Sequence, residues 1–193
     1  MRCEVFRVIY PQSNVMNKLL ASVLAELEKQ REEILQSVSH LPDEAFNRAP
    51  QPGKWSVAQI LTHILTSEKL SLGYMKKKVQ GIDQLKDSGL SESLRLWLLI
   101  VSQRIPVKYK APKVVVENTP ETLSLARVTE EWTNFRKELA AFLSTIDDKY
   151  ARRVIYKHPL AGRFDVRQTL IFFREHINHH RPQIDRILRH PAK

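Results

Sequence analysis

Four stretches of this 193-residue chain repeat their apolar residues at helical spacing, and almost none alternate with the period of a strand. A chain patterned this way is predicted to be all-α, a four-helix bundle. Ser13 is placed to cap a first helix running to about residue 39, with Val15, Leu19, Leu20, Val23, Leu24, Leu27, Ile34, Leu35 and Val38 on its inner face. Leu41-Pro42 ends it. Pro42, Pro50, Pro52 and Gly53 then argue against any helix before Ser56, which caps a second helix from about Val57 to Val79. A shorter helix is expected from Ser91 to Arg104. A third long one covers about Thr122 to Ile146 with Leu125, Val128, Trp132, Phe135, Leu139, Phe142 and Leu143 in step, and residues 166–189 make the fourth. Pro182 inside that last helix removes one backbone bond and predicts a kink. The connection from 80 to 121 is long enough to cross the bundle, so helices two and three need not be antiparallel neighbours. Val114-Val-Val116 reads as a short extended stretch. No repeat or second domain is visible, so residues 1–193 read as one domain with its core at about 14–190.

The fourth helix contains His176-Ile-Asn-His-His-Arg-Pro-Gln-Ile184. Residues four apart on a helix differ by roughly 40° around the axis, so His176 and His180 project side by side, the spacing at which two imidazoles reach one metal ion. His180 falls within the apolar stripe of Leu170, Phe173, Ile177, Ile184 and Ile187. His179 falls roughly 60° to the other side and reads as solvent-facing or as a neighbour of the ligands. Gln183 shares the edge of the site, whereas Glu175, roughly 100° from His176, is expected to face solvent. A third ligand is available in His63, two turns into the second helix. Its apolar face, made by Val57, Ile60, Ile64 and Met75, centres about 100° from His63, so periodicity permits either an inward or an outward position.

Lys54-Trp-Ser-Val-Ala-Gln-Ile-Leu-Thr-His63, a middle helix, His158-Pro-Leu-Ala-Gly-Arg-Phe-Asp-Val166 and the His-x-x-x-His-x-x-Gln-Ile run at 176–184 together resemble the DinB-like superfamily, over roughly residues 14 to 190. That superfamily includes proteins described as metal-dependent hydrolases and thiol S-transferases that use bacillithiol or mycothiol. The resemblance implies an up-down-down-up four-helix bundle with a long crossover, and a metal held by His63, His176 and His180. It also implies a homodimer. At Arg163-Phe-Asp165 the chain departs from relatives that carry a more apolar residue followed by Thr, so substrate preference does not carry over through that turn.

Three neutral imidazoles would leave an ion its charge and an open coordination position, the layout of a catalytic zinc site. Imidazole suits nickel as well as zinc. Water or a low-molecular-weight thiol in the open position would become more acidic, giving hydrolysis in one case and S-transfer to a small molecule in the other. The sequence does not choose between them. A helical binding or stress-response module without stoichiometric metal is the alternative.

Trp55 could wall the pocket or serve as a hydrophobic staple at the entrance of the second helix. Trp97, Trp132, Phe135, Phe172 and Phe173 read as core, and His40 and His190 as surface histidines; His158, before Pro159, reads as a surface loop histidine, with a position pointing into the site as the alternative.

Composition narrows the setting. The net charge of +10 comes with clusters at Lys76–Lys78, Lys108–Lys113 and Arg152-Arg153, which lie apart and lack a nucleic-acid motif; they read as solvated surface. The longest apolar run, Leu96–Val101, is far below the roughly 20 residues of a membrane span, and the N-terminus lacks the form of a secretory signal. Cys3, the single cysteine, excludes an intramolecular disulfide and is compatible with the cytoplasm. Its place near a terminus makes it an unusual nucleophile.

Overall fold

A computed structural model describes residues 16–104, 115, 117, 119–120 and 122–190. Among the described residues, six α-helices with defined ends and one hairpin follow in the order α1 (Lys18–Val38), α2 (Asp43–Asn47), α3 (Val57–Val79), α4 (Leu90–Arg104), α5 (Leu125–Ser144), β1 (Tyr156–His158), β2 (Gly162–Phe164) and α6 (Val166–Arg189). The long helices α1, α3, α5 and α6 form the bundle expected from periodicity.

Their starts are fixed by side chains that take up orphan amides. Asn17 accepts from the amides of Leu19 and Leu20 at the start of α1, while Ser13 and Val15 lie outside the described residues. Ser56 and Gln59 form a reciprocal capping box at α3, and Asp165 and Gln168 form another at α6. Residues 114 and 116 also lie outside the described residues, and Val115 between them is helical and buried.

Hydrogen-bonded and ionic pairs between the helices give their directions. Glu26 meets Arg174 and Gln30 meets Asn178, so α1 and α6 run parallel. Lys69 meets Glu131 and Lys76 meets Glu138, so α3 and α5 are parallel too. Glu28 meets Arg136 while Arg31 meets Thr133, which makes α1 and α5 antiparallel. The order is therefore up-down-down-up. Around the bundle α1 packs on α6, α6 on α3, α3 on α5 and α5 back on α1. The chain between α3 and α5 supplies the crossover that a parallel pair requires.

The core holds a buried ionic network centred on Arg136. Arg136, fully buried, donates from Nη2 to Glu68 Oε1 at 3.0 Å and sits with Nε 3.0 Å from Glu28 Oε1; Trp132 Nε1 donates to Glu68 Oε2 at 3.1 Å. Arg31 joins it through Glu28 and Thr133. Burial pushes the Glu68 carboxyl above its ordinary range against the opposing pull of Arg136.

Several expectations are corrected. The segment 42–54 does contain a helix: Pro42 stands at the N-cap of α2, where its missing amide costs nothing. Asn47 of α2 exchanges hydrogen bonds with the backbone of Leu123, and Asp43 Oδ1 accepts from the amide of Leu125, tying α2 to the start of α5. Leu19 and Trp97 are exposed rather than inward. Arg152 and Arg153 are not freely solvated, for they donate to the carbonyls of Ser88 and Leu85 and fasten the chain after α5 to the chain before α4. Lys108–Lys113 lie outside the described residues.

The β1–β2 hairpin, also unforeseen, pairs Tyr156 with Phe164 and His158 with Gly162. Gly162 adopts φ 87°, a conformation side chains disfavour, with the Arg95 side chain 3.4 Å from where a Cβ would stand. Among the described residues, no helix is long and apolar enough to cross a membrane.

Candidate metal centre

α3 and α6 meet where His63 faces His176 and His180. The capping boxes at Ser56 and Asp165 fix the phase of each helix, and the four-residue step on α6 stacks His176 under His180. Ring centroids lie 5.2 Å apart for His63 and His176, 5.0 Å for His63 and His180, and 4.8 Å for His176 and His180. One nitrogen from each ring falls within 4.8 Å of the other two, a grouping that could hold a metal ion. Periodicity left His63 open; the structure turns it inward.

The surroundings are buried and aromatic. Trp55 packs 4.8 Å from His63 and 6.4 Å from His180, nearly parallel to the latter, so it walls the cluster. Phe172, one turn before His176, stacks on that ring at 5.6 Å. Burial is the main reason that all three imidazoles lose their affinity for protons: His63 is pushed down to about 4, His180 to about 3 and His176 well below its ordinary value. The charges of neighbouring histidines add to this in each case. At neutral pH all three are uncharged, the state a metal ligand needs.

The tautomers sharpen the fit. Gln183 Oε1 lies 3.2 Å from His180 Nδ1 and can only accept, so Nδ1 carries the proton and Nε2 presents its lone pair. That Nε2 stands 3.1 Å from Nε2 of His176. His63 Nδ1 and His176 Nδ1 are buried without a hydrogen-bond partner, an arrangement that costs roughly 1–3 kcal/mol for each such atom. Three uncharged imidazoles with ring nitrogens this close together, two of them carrying an orphaned Nδ1, are a donor set that a borderline divalent cation takes.

The other expected residues separate. His179 is half-buried, and its Nδ1 donates to the carbonyl of Gln103 on α4 at 2.7 Å, so it points away from the three rings though packed against His180. It borders a cavity of about 420 Å³ between α4 and α6, lined also by Gln103, Arg104, Glu175, Asn178 and Pro182. Glu175 does not face solvent: it is buried and accepts from Arg174 beside it on α6 and from Arg104, which the packing of α4 brings to it. His158 is not a surface residue either. It lies buried on β1 against Phe172, its Nδ1 accepting from the amides of Leu160 and Ala161 across the hairpin turn. Phe172 was not singled out as a site residue; its place one turn before His176 was the available signal.

A four-helix bundle with parallel α3 and α5 and a histidine cluster between α3 and α6 defines a narrow class of helical proteins. The family model described as the DinB superfamily matches residues 26–184, and the chain belongs to that superfamily. It is 26% identical over 147 residues to the uncharacterized protein YuaE of Bacillus subtilis (strain 168), a span of 76% of this chain and 85% of that one. Its fold resembles that of YfiT from Bacillus subtilis, described as a probable metal-dependent hydrolase with an unusual four-helix bundle topology. The TM-score is 0.56 at 16% identity, covering 94% of this chain and 92% of YfiT.

Proposed function

We propose that this chain is a metal-dependent enzyme acting on a small molecule, with a divalent ion held by His63, His176 and His180. The observation that carries the proposal is the convergence of three uncharged, buried imidazoles on one point, two of them with orphaned ring nitrogens. Such an ion, zinc or nickel, would lower the pKa of the water or thiol placed beside it and polarise a substrate oxygen. Gln183 holds the His180 tautomer, and Trp55 and Phe172 keep bulk water from the rings.

The description of YfiT as a probable metal-dependent hydrolase supports hydrolysis as the reaction. A second reading, S-transfer from a low-molecular-weight thiol, is favoured by one feature: among the described residues, the groups that shift the three imidazoles include no carboxylate, and Glu175 is engaged by arginines. Hydrolysis gains from a base beside the attacking water, whereas a thiol, with a pKa of about 8.5, gives up its proton more readily.

The test is metal content of the untagged protein by mass spectrometry, repeated on His63→Ala and His180→Ala. About one ion per chain, absent from both variants with helicity kept, is expected. No ion after reconstitution with zinc and nickel would leave a helical binding module. With metal established, esters and amides are compared with thiol–electrophile pairs to separate the two reactions.

A further inference from the structure

His158 spends only half of its imidazole on the fold. The hairpin turn needs an acceptor for the amides of Leu160 and Ala161, and Nδ1 supplies it at 3.2 and 3.0 Å. An Asn side-chain oxygen would serve that turn as well, since it stands in nearly the same place and closes such turns routinely. What the imidazole adds lies on the far side of the ring. Burial pushes His158 down to about 4, so the ring is neutral at pH 7, and with Nδ1 accepting, its proton sits on Nε2. Among the described residues this N–H has no hydrogen-bond partner. His158 is 9% exposed, so an edge of the ring stays within reach of an incoming molecule.

The donor stands beside the metal centre. His158 meets Phe172 at a steep angle with centroids 4.7 Å apart, and Phe172 stacks on His176 at 5.6 Å, so a single phenyl ring separates the two histidines. Tyr156 and Phe164 complete the surroundings at 6.4 and 6.1 Å. Burial is the cause of the lowered proton affinity here, with no charged neighbour adding to it or opposing it. A carboxylate or phosphate placed against this N–H would lose its water with no cation to meet it, whereas a carbonyl oxygen sacrifices far less hydration for the same bond. We infer that the Nε2–H of His158 is a specificity element of the site, holding a neutral carbonyl oxygen of the substrate beside Phe172 while the reacting group lies at His63, His176 and His180. The inference rests on the metal-dependent reading for the reacting end, and on β1 and Phe172 for the carbonyl contact. The substrate class is an uncharged molecule whose unreacting carbonyl is set apart from its reacting group by about the width of one aromatic ring.

The test uses the zinc-reconstituted full chain with isotope-labelled histidine, and benzamide and toluene as probes. Long-range proton–nitrogen NMR spectra are expected to show His158 as the Nε2–H tautomer, with benzamide moving that proton downfield and toluene leaving it in place. His158→Asn keeps an acceptor for the turn and removes the donor. It is expected to weaken benzamide binding roughly two- to tenfold, with toluene binding, helicity and zinc content unchanged. His158→Gln, which returns an N–H near the position of Nε2, is expected to recover most of the lost affinity. A proton on Nδ1, a His158 signal indifferent to benzamide up to its solubility limit, a loss shared equally by toluene, or a Gln variant no better than Asn overturns the proposal. The metal reading fails separately: protein that takes up no zinc while benzamide still moves the His158 proton keeps this contact and removes the metal, and one zinc ion per chain with a silent His158 does the reverse.

Discussion

Replacing Arg136 by Met keeps most of the side-chain volume and removes the cation that stands 3.0 Å from the fully buried Glu68 carboxylate. Glu68 would then be left with the Trp132 indole N–H at 3.1 Å as its remaining partner. Glu28 fares better, since Arg31 still reaches it at 3.1 Å, so most of the loss falls on Glu68. Breaking a buried pair by removing one member costs about 3–5 kcal/mol, because the survivor keeps its desolvation and loses its attraction. For a chain of this size that corresponds to a fall of roughly 6–20 °C in Tm. Burial already holds the Glu68 carboxyl above its ordinary range, and Arg136 is the first of the causes that pull it down. Without Arg136 the folded-state pKa rises further. A carboxyl whose pKa is raised by folding contributes stability below its unfolded pKa and loses it as pH rises, so the penalty of Arg136→Met is greater at pH 7 than at pH 5. The assay is urea unfolding followed by far-UV circular dichroism at both pH values, with Glu68→Gln/Arg136→Met as the control. The double variant should lie closer to wild type than the single, because no charge is stranded. A single-variant loss below about 1 kcal/mol, or a double variant no better than the single, would refute the idea that this network is balanced by pairing.

Three further outcomes follow from the same structure. In chelator-treated protein, His63, His176 and His180 have folded pKa values below that of the unfolded chain, so their contribution is complete above about 6.5 and lost as pH falls toward 4; between pH 7 and 5, wild type should lose more stability than His63→Ala/His180→Ala, and equal losses would contradict the burial of the rings. Trp55 packs against His63 and His180, so titrating nickel into the protein should quench part of the tryptophan emission, and Trp55→Phe should abolish that change while still binding one ion. Asp165→Ala removes the cap that accepts from Gln168 N–H at 2.7 Å and should cost roughly 1–2 kcal/mol in urea unfolding, since it also loses the bond from Ser88.

The bundle was legible because each long helix has one wet side and one dry side, and the His176–His180 pair was legible because both residues sit on one helix. His63 was not. α3 packs against α5, α6, α2 and β1, so it is buried around much of its circumference, and an apolar face centred at Val57, Ile60, Ile64 and Met75 describes only part of what is hidden. Glu175 and His158 were misjudged for a related reason: arginines on α4 and α6 accommodate the first, and a hairpin too short to show alternation encloses the second. Arg136 was overlooked although its signal was present. It sits four residues after Trp132 and three before Leu139, inside the apolar stripe, where a charge must find a buried partner. Trp97 was assigned to the core because its spacing is helical, but spacing alone does not say which neighbour a stripe meets.

The pairing of α3 with α6 also has a consequence in time. His63 and His176 are separated by more than a hundred residues, and the helix that carries two of the three imidazoles is the last of the bundle. During vectorial synthesis α1, α3 and α5 emerge with the faces meant for α6 uncovered, and no ion can be held by all three rings until Val166–Arg189 has left the ribosome. An ion bound by all three rings would therefore have to arrive after α6 has docked against α3.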